Sequence, residues 1–183
     1  MNQQQELNDK GVDLAEAGDV EAALECFEQA VKLDPSALKS KLNRATALAV
    51  LGRLDEAIQE FEEILKIDDK DPNVWYNIGA TLAQRGESER AEKCFRKVIE
   101  LAPNERESSS SYNNLGGCLT KQDKWDEAFL CFQKAVELDP DNGEAWANLG
   151  TVFYKRGKED EGIECYAQAA HCGVTLDRVL GDD

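Results

Sequence analysis

Apolar residues recur along this chain at steps of three and four, in short blocks broken by glycine or by aspartate-rich turns. Trp75, Ile78 and Leu82, followed by Ala91, Phe95 and Val98, show the pattern well, and such spacing gives each of two helices one buried face. It predicts a helix from about Asn73 to Arg85, a break at Gly86 and a second, antiparallel helix from about Ser88 to Leu101. The same block then returns every 34 residues, in units 4–37, 38–71, 72–105, 109–142 and 143–176. A small residue stands eighth in each unit: Gly11, Ala45, Gly79, Gly116 and Gly150. Another stands twentieth, as Ala23, Ala57, Ala91, Ala128 and Gly162, and an aromatic stands twenty-fourth, as Phe27, Phe61, Phe95, Phe132 and Tyr166. A fixed period of this length is the mark of stacked helix pairs, where each unit buries its apolar face against its neighbours. The eighth and twentieth residues are expected where the two helices of a unit cross, their small size letting the backbones approach.

These positions resemble the tetratricopeptide pattern, and the resemblance covers nearly the whole chain. Its residues include Trp75, Ile78, Gly79, Leu82, Ala91, Phe95 and Pro103 in the third unit, and Tyr112, Leu115, Gly116, Leu119, Ala128, Phe132 and Pro140 in the fourth. The fifth unit keeps the pattern but has Val174 where the closing proline falls; the second departs most, with Lys41 and Arg44 at apolar places and Asp69 for proline, and the first has Lys10 at an apolar place. The resemblance implies an all-α fold, a right-handed solenoid of five helix-turn-helix repeats. We expect a single domain over 4–183, with a short capping helix in 175–183 whose Leu176, Val179 and Leu180 cover the last open face. Arg106, Glu107 and Ser108 are extra to the period, which predicts that the first helix of the fourth unit starts one turn early. The Ser108–Ser111 run reads as a polar loop with a serine N-cap, phosphorylation beside Arg106 being the alternative.

Charge narrows the partners. With 37 acidic and 21 basic residues the chain carries a formal charge of −16, which disfavours nucleic acid and anionic membrane surfaces and favours protein segments of neutral or basic character. Neither an apolar leader nor a run long enough to span a bilayer is visible, so a cytoplasmic protein is expected, the nucleus being compatible. Cys26, Cys94, Cys131 and Cys165 stand at one place of their repeats, just before the aromatic. Stacked repeats hold such places about 8–10 Å apart or more, too far for disulfides, so these are read as small buried thiols in a reducing compartment.

No catalytic constellation is legible. The chain has one histidine, His171, and lacks paired cysteines at zinc spacing and any nucleotide or hydrolase motif. We therefore expect no enzyme activity, no cofactor and no metal. Acidic residues at the starts of the second helices, such as Asp55, Glu56, Asp126 and Glu127, are accounted for by the helix dipole.

In this family the first helices line a concave groove. That face carries Lys39, Leu42, Asn43, Thr46 and Ala49 in the second unit and Asn73, Tyr76, Asn77, Ala80 and Ala83 in the third. The fourth presents Ser110, Asn113, Asn114, Gly117 and Thr120, and the fifth Glu144, Ala147, Asn148, Thr151 and Tyr154. Asn43, Asn77, Asn114 and Asn148 stand sixth in four successive units. An amide donates and accepts, so such a ladder can pair with a peptide backbone whatever its side chains. It resembles the ladders of tetratricopeptide superhelices that hold extended peptides, including those of O-linked N-acetylglucosamine transferases. The expected function is a monomeric adaptor or scaffold binding an extended peptide through Asn43, Asn73, Tyr76, Asn77, Asn113, Asn114, Asn148, Thr151 and Tyr154. The alternative is a structural scaffold assembled through the solenoid ends. A carboxylate clamp of the cochaperone type is disfavoured: its places hold Asn8, Val12, Asn43, Asn73 and Asn77, and without lysines a terminal carboxylate lacks charged donors.

Overall fold

The computed structural model describes residues 2–103, 106 and 108–175. Among them are ten helices and no strand: α1 (Gln3–Glu16), α2 (Val20–Leu33), α3 (Leu38–Val50), α4 (Leu54–Leu65), α5 (Pro72–Gln84), α6 (Ser88–Leu101), α7 (Ser108–Thr120), α8 (Trp125–Leu138), α9 (Gly143–Lys155) and α10 (Glu159–His171). The chain forms two compact units, Met1–Gly86 with α1 to α5 and Glu87–Asp183 with α6 to α10. In the first unit α1 packs on α2, α2 on α3, α3 on α4 and α4 on α5; in the second the same order runs from α6 to α10. The first helices of the repeats also touch directly, α1 with α3 and α3 with α5 in one unit, α7 with α9 in the other. The proposed capping helix lies outside the described residues beyond Thr175.

The predicted helices of the third repeat are present, with Asp71 capping α5 at Asn73 N (2.8 Å) ahead of Pro72. The acidic residues expected at second-helix starts lie in the first turns of α4, α6, α8 and α10. Phe61, Phe95 and Phe132 are at most 1% exposed, and the glycine at the eighth place makes room for such a ring. A Cβ on Gly11 would lie 2.5 Å from Phe27, and one on Gly116 2.5 Å from Phe132. In the fifth repeat the two small residues do meet, since a Cβ on Gly162 would lie 3.3 Å from the Gly150 carbonyl oxygen.

The serine run is not a loop. Helix α7 begins at Ser108, only one residue ahead of the repeat boundary, and Arg106 lies in a turn before it. Ser108, Ser109 and Ser111 are buried, leaving Ser110 alone exposed. The Ser108 hydroxyl donates to the Ala102 carbonyl; that of Ser109 donates to the Ala135 carbonyl at 2.9 Å and accepts from Asn142 Nδ2 at 2.8 Å. The repeat places contain the signal for this burial: Ser111 stands third in its unit, where the third and fifth units have Val74 and Ala145.

Candidate functional site

In each unit the candidate surface is the row of first helices. On the first unit, Asn43 is half-buried and donates through Nδ2 to Oδ1 of the buried Asn8 at 3.0 Å. Asn8 also accepts from Ser40 Oγ at 3.0 Å, and Ser40 accepts from Gln4 Nε2 at 2.7 Å. Asn77 reaches Thr46 Oγ1 with a long 3.5 Å contact, while Thr46 itself donates to the Leu42 carbonyl at 2.8 Å. Asn73 is exposed, with Nδ2 3.0 Å from Asp71 Oδ1, and Tyr76 is half-buried. The Asn43 and Asn77 amides therefore act first as ties between successive first helices, a role that single-repeat inspection does not reveal.

The second unit repeats the device. Asn148 Nδ2 donates to Asn113 Oδ1 at 2.8 Å. Asn113 is only 6% exposed, and its side-chain oxygen holds the Asn148 amide. Asn114 is half-buried and Thr151 exposed; Thr151 Oγ1 donates to the Ala147 carbonyl and lies 3.1 Å from the Tyr166 hydroxyl. Tyr154 stacks on Tyr166 with ring centroids 5.5 Å apart. Asn148 and Thr151, with Glu144 and Ala147, line an open cavity of about 390 Å³ bounded on its other side by Gly173, Val174 and Thr175. The structure thus brings Asn148, Thr151 and Tyr154 to one helix face and ties Asn77 to its neighbour helix.

The chemistry available is recognition by amides, hydroxyls and apolar surface. No group of three or more metal-ligating side chains occurs among the described residues. Burial pushes the Cys131 and Cys165 thiols up to about 11, the Arg96 charge pulling Cys131 back only in part, so neither is a thiolate nucleophile near neutral pH. Cys131 is half-buried rather than fully enclosed. No helix among the described residues is long and apolar enough to cross a membrane.

Repeated helix pairs, each closed by a small residue under an aromatic ring and joined through first-helix amides, define a tetratricopeptide-repeat protein of the all-α solenoid class. Residues 2–182 match the model of the cilia and flagella-associated protein 70 C-terminal domain, and the chain belongs to that family. No curated protein matches the chain. Among solved structures, PilF of Pseudomonas aeruginosa is similar with a TM-score of 0.88 at 20% identity, over 97% of this chain and 79% of its own. MamA of Desulfovibrio magneticus RS-1 gives 0.81 at 20% identity, over 94% and 97%. YrrB, described as a TPR protein with an unusual peptide-binding site, gives 0.69 at 22% identity, over 91% and 84%. At these identities the likeness shows the fold alone. A fold of this kind is a protein-interaction scaffold.

Proposed function

We propose that this chain is a non-enzymatic adaptor that holds an extended segment of another protein against the asparagine-bearing faces of its first helices. The tied asparagines carry the reading. Asn43 and Asn148 each give one N–H to an asparagine of the preceding first helix, which fixes the side chain. No described residue donates to Oδ1 of Asn43, Asn77 or Asn148, so each keeps an acceptor for a peptide N–H. A preset acceptor lowers the ordering cost of binding. The peptide-binding site in the description of YrrB supports peptide capture on such a scaffold, and the charge of −16 favours a segment with basic residues.

The test is capture of partners by the wild-type chain and by Asn43→Ala/Asn77→Ala, both verified as equally helical. A segment shared by the lost partners, made as a synthetic peptide, is expected to bind the variant about tenfold more weakly, the loss of one or two hydrogen bonds. A partner set indifferent to the substitutions overturns the reading. Sedimentation over a range of concentrations is expected to show a monomer; growth with concentration would support assembly through the repeat ends instead.

A further inference from the structure

Two apolar pits lie along the seam of α3 and α5, both within the first unit, and both are floored by α4. The first is formed by Leu38, Leu42, Ile64 and Val74 and encloses about 210 Å³. The second, of about 190 Å³, is formed by Ala49, Val50 and Ala80 over Phe61, with Thr46 and Asn77 at its lip. Val50 is 65% exposed, so the apolar wall of this pit is open to a partner side chain. The residues of the two pits are offset by about nine positions along α3 and by about six along α5, from Val74 to Ala80. At 1.5 Å per residue, the pits are about 9–13 Å apart.

An extended chain rises about 3.3 Å per residue and alternates its side chains between two faces. Residues i and i+4 therefore point the same way and stand about 13 Å apart, which reaches from pit to pit, whereas i and i+2, about 7 Å apart, fall short. Spacings of three or five send the second side chain to the opposite face. The first pit is rimmed by Asp68 and Asp71, with Lys39 as the one cation of its lining, and the 68–71 segment, Asp-Asp-Lys-Asp, keeps a net negative charge in a strongly acidic chain. A basic residue next to the side chain in that pit complements the rim. Asn77, at the lip of the second pit, is placed to accept from the backbone between the two anchors.

Resting on the adaptor reading, we infer that the first unit selects an extended partner segment with two aliphatic side chains four residues apart and a lysine or arginine beside the one that enters the Asp68–Asp71 pit. The pits decide which segment binds, and the asparagines hold its backbone.

The probes are fluorescein-labelled peptides in a Gly-Ser-Gln background. Each carries Lys-Leu at one end and Leu-Lys at the other, so that either orientation is served, and the leucines stand three, four or five places apart. Fluorescence anisotropy against the full chain is expected to show the four-spaced peptide binding about tenfold tighter than the others, one leucine pocket's worth of discrimination. Ala80→Phe fills the second pit from its half-exposed wall and should abolish the spacing preference. Asp68→Asn should weaken the four-spaced peptide about threefold and flatten its salt dependence. Equal affinity at all three spacings, or no binding by any, overturns the inference. Asn77→Ala separates the two readings: it should weaken all three peptides alike. Spacing-blind binding that is lost in Asn77→Ala keeps the adaptor and removes the pits. A spacing preference in a variant otherwise unimpaired keeps the pits and removes the asparagine from the site.

Discussion

Ser40 in the first unit and Ser111 in the second occupy the same third place of their repeats, and both are completely buried. Ser40 donates to Asn8 and accepts from Gln4, so its hydroxyl serves as both donor and acceptor. The Ser111 hydroxyl has no hydrogen-bond partner among the described residues. A second contrast lies at the seventh place. Leu115 and Leu149 of the second unit stand there, 2% and 4% exposed, and Ile78 of the first unit at 3%, whereas the second repeat, also in the first unit, puts Arg44 there. Arg44 Nε lies 3.0 Å from both oxygens of Glu60, an 8%-exposed carboxylate. Glu60 in turn stands where four other repeats have Cys26, Cys94, Cys131 and Cys165. A repeat therefore tolerates a polar residue at a core place when a second off-pattern residue answers it, and otherwise bears the desolvation.

Breaking the Arg44–Glu60 pair from one side should give the largest effect. Arg44→Leu restores the residue type of the other repeats but strands a buried carboxylate, and chemical denaturation should show a loss of about 2–3 kcal/mol. Arg44→Leu/Glu60→Cys restores both places and should lie within about 1 kcal/mol of the wild type. A double variant as unstable as the single one would mean that the pair does more than neutralise itself.

The serines sharpen the same contrast at a smaller scale. Ser40→Ala removes a donor to Asn8 and an acceptor for Gln4 and should cost about 1–2 kcal/mol, since Asn8 keeps its bond from Asn43. Ser111→Ala removes a buried hydroxyl without a partner and should stabilise by about 1 kcal/mol. Thermal unfolding of the two variants should shift in opposite directions; a shift of the same sign would show that the third place is governed by volume rather than by hydrogen bonding.

What the sequence discloses and what it conceals follow from this contrast. The eighth, twentieth and twenty-fourth places are set by packing within one helix pair, so Gly116 and Phe132, or Gly150 and Tyr166, announce themselves in a single unit. The bounds of α6 follow from Ser88 and Leu101 for the same reason. Polar residues at core places answer to partners far along the chain: Asn142 for Ser109, Asn8 for Asn43, Asn113 for Asn148. Read locally, a serine run resembles a loop and an asparagine ladder resembles a free binding surface. Arg44 is visible as an exception by itself, but it acquires meaning only when Glu60, sixteen residues later, is recognised as a second exception in the same repeat.

The smallest effect concerns how the first helices end. Gly18, Gly52, Gly86 and Gly157 stand at the fifteenth place with φ between 71° and 89°, where glycine carries no Cβ penalty. The fourth repeat has Asp123 there, at φ 59°. It closes its helix with the same bonds as Gly52 does: Asp123 N to Thr120 O and Lys124 N to Leu119 O, against Gly52 N to Ala49 O and Arg53 N to Leu48 O. Equal hydrogen bonding with unequal backbone strain isolates the left-handed penalty, which is about 1–2 kcal/mol for an L-residue and less for aspartate. Asp123→Gly forfeits the 3.3 Å contact with Trp125 Nε1, a long and weak bond, and gives the unfolded chain more freedom. The net expectation is a stabilisation of about 0.5 kcal/mol, read as a small rise in the denaturation midpoint at unchanged slope. The converse substitution, Gly52→Asp in the first unit, should lower it by a similar amount. If Asp123→Gly is destabilising instead, the aspartate side chain contributes more to the turn than its backbone costs.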